Sequence, residues 1–304
     1  MAYTNLVIFI VVAYVFMLVC CQFLVVWPLF SDARHAAGAL VEVVYVFMWL
    51  MTMWSYKLCV EVHPGTPPSD YVPPGASETA LREERQRALS EALPPADPEF
   101  DRLARRFQLV RFCKPCGAFK PPRVAHCKQC AQCICMYDHH CPFIGGCLGF
   151  ANRKAFQLFL WYTVVGSAFS IALYCWRLVA VMSALSRAMS PGSSFIDVSG
   201  RRYLIASMIM IIIQFVILFI VVFAVGSLAV HQFNMLLLNT TTVEYRQYRN
   251  ERRDASEAGR PFRWRYDHGS GLANFKSCMG ANPLTMLIPS VPSGDGYSAA
   301  RSEL

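Results

Sequence analysis

The sequence predicts an all-α integral membrane protein, with four transmembrane helices and a small cysteine-rich domain between the second and third of them. Three observations carry this. Hydrophobic residues fill 55% of the 304 positions and charged residues only 16%, a balance that suits a bilayer better than a soluble core. Four apolar segments each exceed the roughly 20 residues that cross about 30 Å of hydrocarbon as a helix. Eight of the 13 cysteines fall between Cys113 and Cys147.

The first apolar segment runs from Leu6 to about Phe30. The residues before it, MAYTN, form no basic n-region, and the run outlasts the roughly 7–15 residues of a signal-peptide core, so it reads as a retained span. The second segment runs from about Ala37 to Val60, the third from about Ala155 to Met182, and the fourth from about Tyr203 to Leu238. The fourth is long enough to tilt or to extend past the bilayer. The chain thus divides into spans 1 and 2 (1–60), a proline-rich linker with one short polar helix (61–110), the cysteine-rich domain (111–154), spans 3 and 4 (155–238), and a tail (239–304).

Basic residues set the orientation. Of 28 Lys and Arg, 13 lie in 61–154 and 9 in 239–304. By the positive-inside rule the connector and both termini are cytosolic. The formal net charge of +8 then sits on the cytosolic face, where it suits anionic lipid headgroups or a phosphate-bearing ligand. Nucleic acid is not an expected partner, because the basic residues are scattered and no binding motif accompanies them.

A cysteine cluster in the reducing cytosol points to metal binding or catalysis rather than disulfides. The spacing is Cys113-x2-Cys116, then His126-Cys127-x2-Cys130-x2-Cys133, then His140-Cys141 and Cys147. Two residues between cysteines let both sulfurs reach one tetrahedral zinc. Two such sites need eight ligands, whereas the window offers eight cysteines and three histidines. At least three groups are surplus, and spacing alone does not say which. Asp138, His139 and Cys141 supply an acid, a base and a nucleophile within four residues.

These residues resemble the cysteine-rich domain of the DHHC protein S-acyltransferases (palmitoyltransferases). The match runs without a gap through Cys113, Cys116, Lys120, Pro121, Arg123, His126, Cys127, Cys130, Cys133, Asp138, His139, His140, Cys141, Cys147, Asn152 and Phe156. The resemblance implies two structural Zn²⁺, one held by Cys113, Cys116, His126 and Cys133, the other by Cys127, Cys130, His140 and Cys147. It implies Cys141 as nucleophile, His139 as its base and Asp138 as the group orienting His139, with Cys135 a bystander. Thr241, Thr242 and Glu244 are similar to the family's TTxE motif, and Tyr266 and Asn274 to its C-terminal aromatic-Asn segment, at a spacing one residue longer than usual. Departures are His63 in place of an aspartate before Pro64-Gly65, Phe143 in place of a tryptophan, and Gly145 and Gly146 in place of asparagines.

The resemblance further implies palmitoyl-CoA, or another long-chain acyl-CoA, as co-substrate and proteins with membrane-proximal cysteines as acceptors. The expected setting is a eukaryotic endomembrane: Golgi, endoplasmic reticulum or plasma membrane. Trp161, Tyr162 and Gly166 of the third span are candidates to line an acyl cavity, against the plain alternative that they face lipid or other helices. The stretch 245–266, which interleaves arginine with Tyr, Trp and Phe, reads as a membrane-surface element. Two other readings compete. One is a catalytically silent zinc-containing membrane scaffold of the same fold. The other is a membrane-anchored RING-type module, whose ligand spacing differs and which has no Asp-His-Cys trio. Nothing in the sequence marks an accessory subunit.

Overall fold

The computed structural model describes residues 35–73, 77–89, 111–189, 198–294 and 296. The expected first span, Leu6 to about Phe30, lies outside the described residues. In chain order the elements are α1 (His35–Glu61), α2 (Glu78–Leu89), β1 (Phe112–Cys113), β2 (Ala118–Phe119), β3 (Val124–Cys127), β4 (Gln132–Cys135), β5 (His139–Cys141) and β6 (Gly146–Leu148). Then follow α3 (Arg153–Met189), α4 (Val198–Leu237), α5 (Thr242–Glu257), α6 (Gly271–Met279) and α7 (Pro283–Met286). Contacts divide the chain into two units, Met1–Tyr56 with Gln157–Gln232, and Lys57–Phe156 with Phe233–Leu304.

Among the described residues three helices are long and apolar enough to cross a membrane, over Gly38–Glu61, Arg153–Arg187 and Arg202–Leu237. The chain is an integral membrane protein. In the first unit Tyr45, Tyr174, Val181, Ile211 and Leu218 form the inner cluster, while Phe219 and Phe223 stay 61% and 73% exposed. Apolar residues face outward because lipid, not water, surrounds them. Hydroxyls within these helices turn back on their own backbone: Thr52 donates to Met48 O, Ser55 to Met51 O, Thr163 to Phe159 O and Ser170 to Gly166 O. This satisfies them without a neighbour.

The second unit departs from an all-α description. Its cysteine-rich part is three antiparallel hairpins, β1–β2, β3–β4 and β5–β6. The hairpins set their cysteines and histidines opposite one another, His126 facing Cys133 and His140 facing Cys147. The segment His63-Pro64-Gly65 docks on this module: Cys135 N–H donates to Gly65 O at 2.9 Å and Ala151 N–H to Pro64 O at 3.1 Å. Gly65 N–H donates to Nδ1 of His63 at 3.2 Å, so the imidazole accepts the turn hydrogen bond that an aspartate would accept there. Gly145 has φ +65°, a conformation glycine adopts freely and asparagine also tolerates.

The stretch 245–266 folds as α5 and a return segment. Its aromatic residues turn inward: Tyr248, Trp264 and Tyr266 are buried together with Phe262 against them, in edge-to-face contacts at 5.4–5.5 Å. Edge-to-face packing of this kind is favoured by the ring quadrupoles. Arg246, Arg249 and Arg253, on the opposite face of α5, are exposed.

The tightest packing in the module is at Gly149. A Cβ there would meet Ile134 Cγ2 at 2.7 Å, Cys135 O at 2.9 Å and Pro64 Cβ at 3.0 Å. Gly149→Ala is expected to destabilise the protein by about 1–3 kcal/mol, seen as a lowered melting temperature in detergent. Gly146→Ala, whose Cβ meets nothing within 4 Å, is expected to melt near the parent.

Candidate active site and metal centres

Side chains on a strand alternate between its faces, and this sorts the crowded DHHC residues. In β5–β6, His140 pairs with Cys147 across the hairpin, while His139 pairs with Leu148 and Cys141 with Gly146. His140 and Cys147 therefore share one face, and His139 and Cys141 share the other. In β3–β4, His126 pairs with Cys133, and Cys127, the next residue along, turns to the opposite face.

The result is two separate donor clusters. Cys113, Cys116, His126 and Cys133 bring their ligand atoms within 4.8 Å of one another, as do Cys127, Cys130, His140 and Cys147. In the first, His126 Nδ1 lies 3.5 Å from Cys113 Sγ and 3.3 Å from Cys116 Sγ. In the second, His140 Nδ1 lies 3.7 Å from Cys127 Sγ, 3.4 Å from Cys130 Sγ and 3.7 Å from Cys147 Sγ. A tetrahedral zinc about 2.3 Å from sulfur and about 2.0–2.1 Å from nitrogen sets its ligand atoms about 3.5–3.8 Å apart. Both clusters fit two closed Cys₃His sites, with no position left for a substrate. Cys135 belongs to neither cluster and is buried beside Cys113, Val124 and Cys133.

The other face of β5 carries the trio. His139 Nδ1 donates to Asp138 Oδ2 at 2.7 Å, and Cys141 shares with His139 the face of β5 opposite His140. Cys141 is 3% exposed and Asp138 1%. Phe156 meets the His139 ring edge-on, with centroids 6.1 Å apart. Burial by itself would lower the His139 pKa. The hydrogen bonds to Asp138 and Cys141, and their charges, outweigh it and push the pKa up to about 9. Burial would likewise raise the Asp138 pKa, but His139, the Arg153 charge and a backbone N–H from Thr242 hold it below its usual value.

Asp138 is positioned from more than one hundred residues downstream. Thr242 N–H donates to Asp138 Oδ1 at 2.7 Å, and Thr242 Oγ1 donates to Asp138 O at 2.6 Å. Thr242 begins α5, so the positive end of that helix points at the carboxylate. Thr241 caps α5: its Oγ1 accepts from Glu244 N–H at 3.2 Å, and its own N–H donates to Glu244 Oε2 at 2.9 Å, a reciprocal capping box. Glu244 also receives Arg123, with Nε to Oε1 at 2.9 Å and Nη2 to Oε2 at 2.8 Å. Arg123 further donates to Asn239 Oδ1 and Asn239 O, and its guanidinium lies 4.4 Å over the Tyr266 ring.

Asn274 donates from Nδ2 to Leu237 O at 2.9 Å and Asp267 Oδ1 at 2.8 Å, and accepts from His268 N–H at 2.8 Å. Trp161, Tyr162 and Gly166 lie on α3 in the first unit. Tyr162 is buried, Trp161 and Gly166 are half-buried, and a Cβ on Gly166 would meet Met48 Cβ at 3.7 Å, an ordinary van der Waals contact.

Three contributors have no role in the sequence reading. Arg153, 2% exposed, donates to Thr240 O and turns its charge toward Asp138; an arginine at the start of a span reads from sequence only as an orientation signal. Asn152 accepts from Gly149 N–H at 2.9 Å and donates to Cys147 O at 3.0 Å and Cys59 O at 3.4 Å. Asn239 donates to Tyr266 O at 2.6 Å. Asn152 and Arg123 were fixed positions of the family pattern, which was the available signal for them.

Removing one partner of a buried ion pair strands the other. Arg123 and Glu244 side chains are 6% and 9% exposed. Arg123→Ala is expected to cost about 3–5 kcal/mol, measured by thermal unfolding in detergent. A loss below 1 kcal/mol would show that Glu244 is held by its capping box alone.

The DHHC palmitoyltransferase family model matches residues 107–249. The chain is similar to "Probable protein S-acyltransferase 12" of Arabidopsis thaliana, 28% identical over 268 residues, which cover 86% of this chain and 78% of the relative. It is similar to palmitoyltransferase PFA3 of Kluyveromyces lactis, 30% identical over 191 residues, 59% of this chain and 53% of the relative. It is also similar to palmitoyltransferase ZDHHC2 of Danio rerio, 34% identical over 131 residues, 42% of this chain and 36% of the relative.

Proposed function

We propose that the chain is a protein S-acyltransferase of the DHHC palmitoyltransferase family, in which Cys141 carries the acyl group between a long-chain acyl-CoA, such as palmitoyl-CoA, and a cysteine of a membrane-associated protein. One observation supports this above the others. Two four-ligand clusters use up Cys113, Cys116, His126, Cys133, Cys127, Cys130, His140 and Cys147, and on the opposite face of β5 remain His139, hydrogen-bonded to Asp138, and Cys141.

In the first half-reaction His139 takes the proton of Cys141 Sγ. The thiolate attacks the thioester carbon, the new S–C bond forms, and the CoA sulfur leaves with the proton from His139. In the second, the acceptor cysteine gives its proton to His139 and attacks the acyl-enzyme, and Cys141 is released. Two thioester exchanges of similar energy replace one direct transfer. The interactions that raise the His139 pKa stabilise the imidazolium formed when it takes that proton. Asp138 fixes the tautomer with the proton on Nδ1 and leaves Nε2 to face sulfur.

The two donor clusters would hold structural zinc, which when bound supplies cross-links. His140 and Cys147 then brace β5 and β6 around Cys141. Thr241, Thr242 and Glu244 support the site through Asp138 and Arg123, and Asn274 fixes the return of the tail. Trp161, Tyr162 and Gly166 are candidates to line the acyl cavity. The concentration of Lys and Arg in 61–154 and 239–304 supports a cytosolic zinc domain and cytosolic termini, in a eukaryotic endomembrane, with the bilayer and cysteine-bearing proteins as partners.

Two measurements test the reading. Detergent-purified protein incubated with palmitoyl-CoA is expected to gain one hydroxylamine-labile palmitoyl mass. Cys141→Ala is expected to abolish it, and His139→Ala to slow it by about 10²–10⁴-fold. No adduct on folded, zinc-loaded protein would favour the silent scaffold. Separately, elemental analysis is expected to find two zinc ions per chain. His140→Ala should lower this to one, and reduce adduct formation by at least about tenfold although Cys141 is intact; unchanged zinc content would remove His140 from the ligand set.

A further inference from the structure

The tail contains an apolar segment that the proposed chemistry does not use. Residues 277–294 include no Asp, Glu, Lys or Arg, within a tail that carries nine basic residues. Their aliphatic side chains face away from the protein: Leu284 is 81% exposed, Leu287 63%, Ile288 41% and Val291 52%. Outside the three membrane-crossing stretches, the other large exposed apolar residues among those described are scattered singly, at Val72, Phe143, Met189, Val243 and Leu272. Scattered residues need no explanation, but a contiguous group does.

The segment is held at a defined level. Lys154 Nζ donates to Thr285 O at 2.9 Å and to Ser290 Oγ at 2.8 Å. Lys154 belongs to the first turn of the stretch Arg153–Arg187, which is apolar enough to cross the bilayer. A lysine at such a position ordinarily extends its ammonium to the headgroups, but here it is 4% exposed and spends its donors on the segment. Farther along, the backbone closes on Phe150: a Cβ on Gly296, at φ +75°, would lie 2.5 Å from Phe150 Cγ, and one on Gly294 3.5 Å from Phe150 Cζ. Only glycine permits that approach. Both ends of the segment are therefore fastened beside the start of a membrane helix, with uncharged aliphatic side chains outward.

We propose that residues 283–291 are a lipid-inserting anchor, latched by Lys154, with Leu284, Leu287, Ile288 and Val291 seated in the acyl-chain region beneath the headgroups. The occupant of this surface is the bilayer itself, because the segment is hydrogen-bonded to the turn at which α3 enters it. Such a segment inserts by the apolar area that it buries. It does not depend on Cys141 chemistry, so its test is independent of activity.

The fluorescent residue dansylalanine, placed at Leu287 of the full chain reconstituted into phosphatidylcholine vesicles, reads the environment directly. The expected result is quenching by lipids that bear a nitroxide near the headgroup end of the acyl chain, and little quenching by aqueous iodide. Lys154→Met is expected to reverse both. Strong iodide quenching in the parent would overturn the proposal in favour of a solvent-facing segment. Protection from both quenchers would overturn it in favour of a face covered by protein, such as a second copy of the chain. Lipid quenching unchanged by Lys154→Met would overturn the latch.

Discussion

A strand of three residues shows its middle side chain to one face and its outer two to the other, and the rest of this site depends on that alternation. With His140 turned toward Cys127, Cys130 and Cys147, His139 and Cys141 must meet on the far side of β5. A metal ion at the cluster would fix not only where β5 lies but which way it faces, since a one-residue slip exchanges the faces. It would put His139 among the sulfurs and leave Cys141 without its base. Under the proposed roles, the order Asp-His-His-Cys would encode two functions on one short strand. Adjacent histidines are needed because ligand and base must point in opposite directions.

What keeps the reactive face in order is a buried polar network rather than an apolar core. Asp138, Arg123, Glu244, Arg153, Asn239, Asn152 and Asn274 are each less than a tenth exposed. Uncompensated, any of these groups would destabilise the unit. Among them they satisfy three helix termini. Asn152 supplies a donor to Cys59 O in the last turn of α1, Asn274 supplies one to Leu237 O at the end of α4, and the first amide of α5 is taken by Asp138. Terminal carbonyls and amides have no partner within their own helix, so these asparagines and the aspartate complete helices while holding the module in register with them.

The sequence carried the chemistry of the site further than its construction. Cysteine and histidine spacing gave the number of metal sites, but the division of ligands between them needs strand sidedness, which spacing does not contain. The hairpins were not read, because two- to four-residue strands are too short for an alternating pattern to register. Of Thr241-Thr242-x-Glu244, the capping box is a local signal that sequence can show. The contacts of Thr242 to Asp138 and Glu244 to Arg123 cross more than one hundred residues and have no local trace. Nothing local in the sequence distinguishes Arg153 from Lys154, yet one donates to Thr240 O and the other hydrogen-bonds the tail. The aromatic residues of 245–266 read as a membrane-surface pattern, but they pack on each other, since Tyr248, Trp264 and Tyr266 shield the Arg123–Glu244 pair from water.

Depth relative to the bilayer is then the quantity the architecture controls. Moving a palmitoyl chain from lipid into water would cost about 11 kcal/mol at about 0.8 kcal/mol per CH₂, comparable with a large part of an enzymatic barrier reduction. A thiol that accepts such a chain has to meet the thioester while the hydrocarbon stays in apolar surroundings. Within the second unit Asn152 links the module carrying Cys141 to the end of α1, Arg123 links it to Asn239 just past α4, and Thr242 links it to the start of α5. Each link includes a backbone group at or just beyond a helix end, where it has no partner within its own helix. The side chains that complete these helix ends would therefore also hold the proposed nucleophile in place, so that the same polar groups would serve stability and reaction geometry.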